Sequence, residues 1–233
     1  MTREQMLSIP QARENSILKN VYMWMTMGLA VTGFIAFAVA SNEAVVYQLV
    51  MNRLLFFGLI IGEFALVWYL SSRIMKMSTQ AAMAGFTAYA ALNGVTLSLI
   101  FLAYTGQTIA NAFFITAGTF AAMSLYAVTT KRDLSGIGNY LFMGLIGLII
   151  ASLVNYFLRS PVMSWIISYA GVGLFMALTA YDTQQISRWN ASFGQSMDQA
   201  QYTKLSILGA LKLYLDFINL FLFILRIFGG RRN

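Results

Sequence analysis

The chain has 233 residues, of which 59% are hydrophobic and only 10% charged; soluble domains carry about 25% charged residues, so the chain reads as a polytopic membrane protein. It has no cysteine and no histidine, which removes disulfides and the usual zinc and soft-metal sites and leaves protons or hard, oxygen-ligated cations such as Ca²⁺, Mg²⁺ and Na⁺. Its net charge of +7 comes from basic residues set singly or in pairs between apolar segments, a pattern of topology signals that points to a bilayer and to no nucleic acid.

In chain order, residues 1–19 read as a cytoplasmic N-terminal segment and residues 20–233 as one seven-helix transmembrane domain. Spans are expected at 20–40, 54–72, 82–104, 109–129, 139–158, 162–182 and 205–228, each near the ~20 residues that ~30 Å of hydrocarbon requires. The first ends in Ala38-Val39-Ala40, like a cleavage site. Its apolar core is longer than the ~7–15 residues of a signal peptide, so it reads as an uncleaved helix. Gly58 and Gly62 in the second span have the spacing that lets membrane helices approach closely. Short turn and charge signals separate the first six spans, and the polar stretch Thr183–Lys204 reads as a long loop before the seventh. With the N-terminus inside, Arg3, Arg13, Lys19, Arg73, Lys76, Lys131, Arg132, Arg188 and Lys204 fall on the inner side. Arg53, Arg159, Arg226, Arg231 and Arg232 fall outside and Lys212 lies within a span, so the positive-inside bias favours this orientation. A re-entrant last segment would instead return the C-terminus to the inner side, and both readings stand.

Acids at bilayer depth are expensive and mark function by default. Glu63 lies in the second span, Asp182 at the end of the sixth and Asp216 midway along the seventh, while Asp133 reads as a solvated charge beside Lys131 and Arg132. At 100° per residue, Lys212, Asp216, Asn219 and Arg226 fall within an arc of about 80° on the last helix. That stripe points either to a protein interior or water-filled path, or to a self-neutralising Lys212–Asp216 pair. Ser168, Gly171, Phe175, Thr179 and Asp182 share one face of the sixth helix. Should the polar loop between them let the seventh helix start deeper than Leu205, Asp182 and Asp216 come within reach, and like charge would then let them share a proton.

Several of these segments resemble a known family. Leu178-Thr179-Ala180-Tyr181-Asp182-Thr183-Gln184 and Ala210-Leu211-Lys212-Leu213-Tyr214-Leu215-Asp216-Phe217-Ile218-Asn219-Leu220-Phe221 resemble the transmembrane Bax inhibitor motif (Bax inhibitor-1) family, and within it the bacterial branch. So do Leu225-Arg226-Ile227-Phe228-Gly229, Ser124-Leu125-Tyr126 and Thr129-Thr130-Lys131-Arg132-Asp133-Leu134-Ser135. The resemblance implies an all-α integral membrane protein of the bacterial inner membrane, with the last helix central and the first six around it in two groups of three. It implies a pH-sensitive calcium leak controlled by an aspartate pair, to which Asp182 and Asp216 correspond, with an arginine latch that Arg73 matches. Glu63 corresponds to an acidic position of some relatives and reads as a further cation ligand or as a buried, protonated or paired acid. Asn219 is expected to add an oxygen ligand. Lys212 stands where the family leads one to expect a small uncharged residue; it either tunes Asp216 or snorkels to the inner face. No cofactor is expected beyond transient Ca²⁺, and no enzyme activity.

Three rival readings follow from the same residues. Tyr181-Asp182 with Asp216 has the look of an intramembrane aspartyl protease, but Gly-x-Gly before and Pro-Ala-Leu after the second acid are missing. Lys212 as a retinal Schiff base would need a buried acid on a facing helix, and the third span holds none. An interaction protein, modulating a membrane protease or stress response through 1–19 and 183–204 without conducting ions, is the alternative function.

Overall fold

The computed structural model describes the backbone of residues 3–193 and 197–229 and the side chains of 17–189 and 197–229. The described residues form α1 (Arg3–Ala40), α2 (Glu43–Met51), α3 (Arg53–Arg73), α4 (Thr79–Leu97), α5 (Ile100–Ala103), α6 (Gly106–Thr129), α7 (Gly138–Leu158), α8 (Pro161–Phe193) and α9 (Gln199–Phe228). A 3₁₀ turn follows α3 at Ile74–Lys76 and another precedes α7 at Ser135–Ile137. All-helical architecture is what a bilayer permits a chain without a closed barrel, because each backbone N–H and C=O finds its partner within the same segment. Side-chain caps fix the starts. Asn42 accepts from the Val45 N–H (3.2 Å), Asn52 from Leu55 (3.0 Å), Ser78 from Ala81 (3.2 Å) and Thr105 from Thr108 (3.2 Å), each satisfying an orphan donor of a first turn. Arg159, at φ 51°, closes α7 in the left-handed conformation, and Pro161 opens α8, as its fixed φ favours at a first helical position.

Among the described residues, seven helical stretches are long and apolar enough to cross a membrane: Ile17–Ala40, Arg53–Lys76, Thr79–Ala103, Gly106–Thr129, Ser135–Leu158, Pro161–Trp189 and Gln199–Phe228. The last is the most enclosed, with 67% of its apolar stretch buried against 6% in the second and fifth. The chain divides into two compact units. One holds the first three spans with Trp189–Tyr214, the other holds Tyr104–Arg188 with the chain from Leu215 onward. Each group of three spans thus has one half of α9 as its own.

In the first unit α1 crosses α4 at Gly94, where a Cβ would stand 2.7 Å from the Thr32 carbonyl oxygen and 2.9 Å from Ile35 Cβ. Tyr214, fully buried, meets Phe86 and Tyr89 edge-on at centroid distances of 6.0 and 5.8 Å. Lys204 Nζ donates to the carbonyl oxygens of Met75 (3.0 Å) and Met77 (3.2 Å), a cation at the carbonyl end of the second span. In the second unit Phe217 packs on Phe113 and Phe120 (5.6 and 5.5 Å), and Phe223 stacks on Phe175 (5.8 Å) above the open face of Gly171.

Three expectations need correction. The stretch Thr183–Lys204 is mostly helix, because α8 continues to Phe193 and α9 begins at Gln199. Gln, Ser and Arg are tolerated in a helix once it has started, and the fully buried Ile186 gives this extension a packed face. The last segment is one unbroken helix, so the re-entrant reading falls. Gly58 has nothing near its Cβ position and Gly62 only a Leu92 side chain at 3.8 Å, since the second span is peripheral to its unit. Helix α1 already runs from Arg3, while the side chains of 3–16 and 190–196, and Arg231 and Arg232, lie outside the described residues.

Candidate functional site

The second unit collects buried polar side chains where α6, α8 and α9 meet. Ser124, Thr179, Asp182, Thr183, Gln184 and Asp216 are all buried, with Asp182 9% and Asp216 5% exposed. Some of these groups are neutralised by their own helices. Thr179 Oγ1 donates to the Phe175 carbonyl (2.7 Å), and Asn219 Nδ2 donates to the Leu215 carbonyl (2.8 Å), a local back-bond open to short polar side chains. Others tie helices together, as where Ser124 Oγ lies 3.4 Å from Thr183 Oγ1.

The register of the two acids follows from the aromatic stack. Consecutive spans run antiparallel, and Phe175 of α8 stacks on Phe223 of α9. One heptad, two helical turns, leads along α8 from Phe175 to Asp182 and back along α9 from Phe223 to Asp216. A heptad returns a helix to within about 20° of the same face. Gly171 is what permits the close stack, because a Cβ there would lie 2.7 Å from the Phe223 ring.

The C-terminal part of α8 is held by the connection between α6 and α7. Gln184 accepts from the Leu134 N–H (2.8 Å) and donates to the Arg132 carbonyl (2.9 Å), and Arg188 Nη1 pairs with Asp133 Oδ1 at 2.6 Å. Asp133 also accepts from the Ser135 N–H (2.8 Å). Hydrogen bonds from the Ser135 backbone and side chain, then Arg188, hold its carboxyl down at about 2. The folded value lies below the ordinary one, so the charged form favours this turn above the ordinary range and the preference is lost as pH falls toward about 2. Replacing Asp133 with alanine is expected to speed hydrogen exchange at Ser135 while leaving the thermal midpoint in place, since the pair is exposed and screened; an unchanged exchange rate would remove Asp133 from the turn.

The remaining candidates lie elsewhere. Arg73 is the exposed last residue of α3 and, like Glu63 and Lys212, belongs to the first unit, whereas Asp182, Asp216 and Asn219 belong to the second. Lys212 is half-buried, with Nζ 5.8 Å from the Trp189 ring centroid, a cation–π distance. Arg226 is exposed and lies over Phe223 at 5.5 Å. Leu213, Leu220 and Ile224 are as buried as Asp216. Glu63 Oε1 lies 2.6 Å from Thr96 Oγ1. Sequence reasoning passed over Gln184, although it directly follows the Asp182-Thr183 motif. It also passed over Asn93 and Thr96, two polar residues one turn apart in an apolar span.

An all-helical membrane protein of seven spans, with buried carboxylates on its last two helices, defines the class. The chain matches the family model described as inhibitor of apoptosis-promoting Bax1 over residues 14–233, and it belongs to that family. It is 51% identical over 223 residues to the inner membrane protein YbhL of Escherichia coli strain K12, covering 96% of this chain and 95% of that one. It is 42% identical over 233 residues to an uncharacterized protein of Borreliella burgdorferi, covering 98% and 100%. It is also 43% identical over 216 residues to the uncharacterized protein RP147 of Rickettsia prowazekii, covering 91% and 89%.

Proposed function

We propose that the chain is a proton-gated leak for cations, Ca²⁺ foremost, in the bacterial inner membrane, with its N-terminus in the cytoplasm and no catalytic step. The observation that carries this reading is the burial of Asp182 and Asp216 one heptad from a shared aromatic stack on adjacent helices. Two ionised carboxylates at one level of a low-dielectric interior repel strongly, so such a pair holds one proton and titrates as a unit. Loss of that proton leaves two like charges, which favours separation of the helices or entry of a cation between them. Asn219, one turn beyond Asp216, offers an amide oxygen to that cation. Aromatic and branched side chains crowd the path from Phe217 to Phe223, which keeps conduction slow.

The test is flux through the purified full-length chain in liposomes, followed with an entrapped Ca²⁺ indicator across a pH series. A leak that changes with pH supports the reading; liposomes as tight as protein-free controls at every pH would move the assignment to a protein-interaction role. In the same assay, replacing Lys212 with alanine removes a cation one turn from Asp216 and is expected to shift the pH profile. Superimposable profiles would take Lys212 out of the mechanism.

A further inference from the structure

The first unit carries a third acid at bilayer depth, Glu63, and its surroundings differ from those of the two aspartates. Glu63 is half-buried near the middle of α3, and Thr96 Oγ1 lies 2.6 Å from its Oε1 and 3.0 Å from the Asn93 carbonyl oxygen. A hydroxyl has one proton to give, and a carbonyl has none. Both contacts are full hydrogen bonds only when Glu63 is protonated and donates to Thr96, which in turn donates to Asn93.

Two further observations fall at the same place. Asn93 is 8% exposed, and its Oδ1 has no hydrogen-bond partner among the described residues, a deficit that buried polar groups rarely tolerate. The third span is also interrupted here. Helix α4 stops at Leu97 and α5 begins at Ile100. Between them the backbone tightens to i−3 bonds, Leu99 to Thr96 (3.4 Å), Phe101 to Ser98 (3.1 Å) and Leu102 to Leu99 (3.1 Å). An interrupted membrane helix turns carbonyl oxygens away from the regular ladder, which is how helical membrane proteins build cation sites.

We propose that Glu63, Thr96 and Asn93 form a membrane-embedded site for one monovalent alkali cation, which competes there with the proton that Glu63 holds in this conformation. The ligands are one carboxylate oxygen, the Thr96 hydroxyl and the otherwise idle Asn93 Oδ1. The charge count selects the ion. One carboxylate neutralises one positive charge, whether proton or alkali cation, whereas a divalent ion would leave an uncompensated charge at bilayer depth. No cluster of three acidic, histidine or cysteine side chains exists among the described residues to hold a divalent ion more tightly. The titratable groups that face Glu63 are Tyr89 of α4, which the Asn93 amide contacts, and Tyr214 of α9; as neutral phenols they leave the exchange electroneutral.

The proposal is independent of the aspartates and is tested with dicyclohexylcarbodiimide, a lipid-soluble reagent. The proton of a carboxylic acid passes to the carbodiimide nitrogen as the carboxylate oxygen adds to its central carbon. The full-length chain in liposomes is treated at neutral pH in choline chloride, then in NaCl or KCl of equal ionic strength, and modification of Glu63 is followed by peptide mass spectrometry. Modification is expected in choline and absent in Glu63→Gln. An alkali cation at ten times its dissociation constant should slow it roughly tenfold by mass action. That protection should weaken in Asn93→Ala and Thr96→Val and persist in Asp182→Asn and Asp216→Asn. Equal labelling in choline, Na⁺ and K⁺ would overturn the cation site, a Glu63 that does not react at neutral pH would overturn the held proton, and protection by Ca²⁺ alone would overturn the monovalent class. These outcomes come from the unaltered chain, so they stand even if a variant fails to fold, and none depends on whether Ca²⁺ leaks.

Discussion

Replacing Asp216 with asparagine is expected to give a folded protein in which the proposed cation leak no longer responds to pH. Asparagine keeps the shape of aspartate and can still hydrogen-bond, but it carries no titrating charge. At a position only 5% exposed on the most enclosed helix, removing a charge relieves desolvation, so thermal stability should hold or rise. The ratio of leak rates between about pH 6 and about pH 8 should fall to roughly 1, because the proposed proton-sharing pair ceases to exist when either member is neutralised. Asp182→Asn should act in the same direction. The double variant should add little to either single one, the non-additivity expected of groups that act as a unit. A pH response surviving in both single variants would leave the gate elsewhere and would break the link between these acids and conduction.

Much of the architecture was legible because a bilayer constrains a chain so strongly. Seven apolar stretches near the right length leave helices as the fitting solution here, and an acid at the position of Asp216 announces itself against an apolar run. Legibility failed where the physics is that of a soluble helix. Thr183 to Lys204 is polar and reads as a loop, yet Gln184 and Arg188 stay helical because they reach back to Arg132, Asp133 and Leu134. No local pattern encodes a contact across about 50 residues. The same limit hid Thr32 from Tyr214, 182 residues apart in the chain and 2.7 Å apart in space. By contrast, Asn93 and Thr96 did leave a local trace, and it went unread because amides and hydroxyls carry no charge to attract notice. The candidate site divides likewise. Asp182 and Asp216 stand out in sequence, whereas the Phe175–Phe223 stack and the open face of Gly171 that relate them do not.

Tyr214 is the residue whose loss should cost the fold most. It is fully buried among Phe86, Tyr89 and Gly28. Thr32 Oγ1 donates to the Ala90 carbonyl (2.8 Å), so the Tyr214 hydroxyl is the donor in its 2.7 Å contact with Thr32, and α1, α4 and α9 are joined in one chain of hydrogen bonds. Tyr214→Ala removes the ring and leaves a cavity, a change expected to cost about 3–5 kcal/mol by analogy with buried aromatic truncations. Tyr214→Phe keeps the ring and removes only the hydrogen bond, which within a membrane averages about 0.6 kcal/mol. Thr32 retains Ala90 in both variants, so neither leaves an orphaned hydroxyl proton. Reversible denaturant unfolding in bicelles separates the two contributions. A large cost for alanine with a small one for phenylalanine places the stability in ring packing, which matters here because hydrocarbon solvates an apolar surface as well as a protein interior does and only close contact remains to hold helices together. Equal costs for the two variants would instead make the hydroxyl chain the bond that fixes the first half of α9, and the ring a filler.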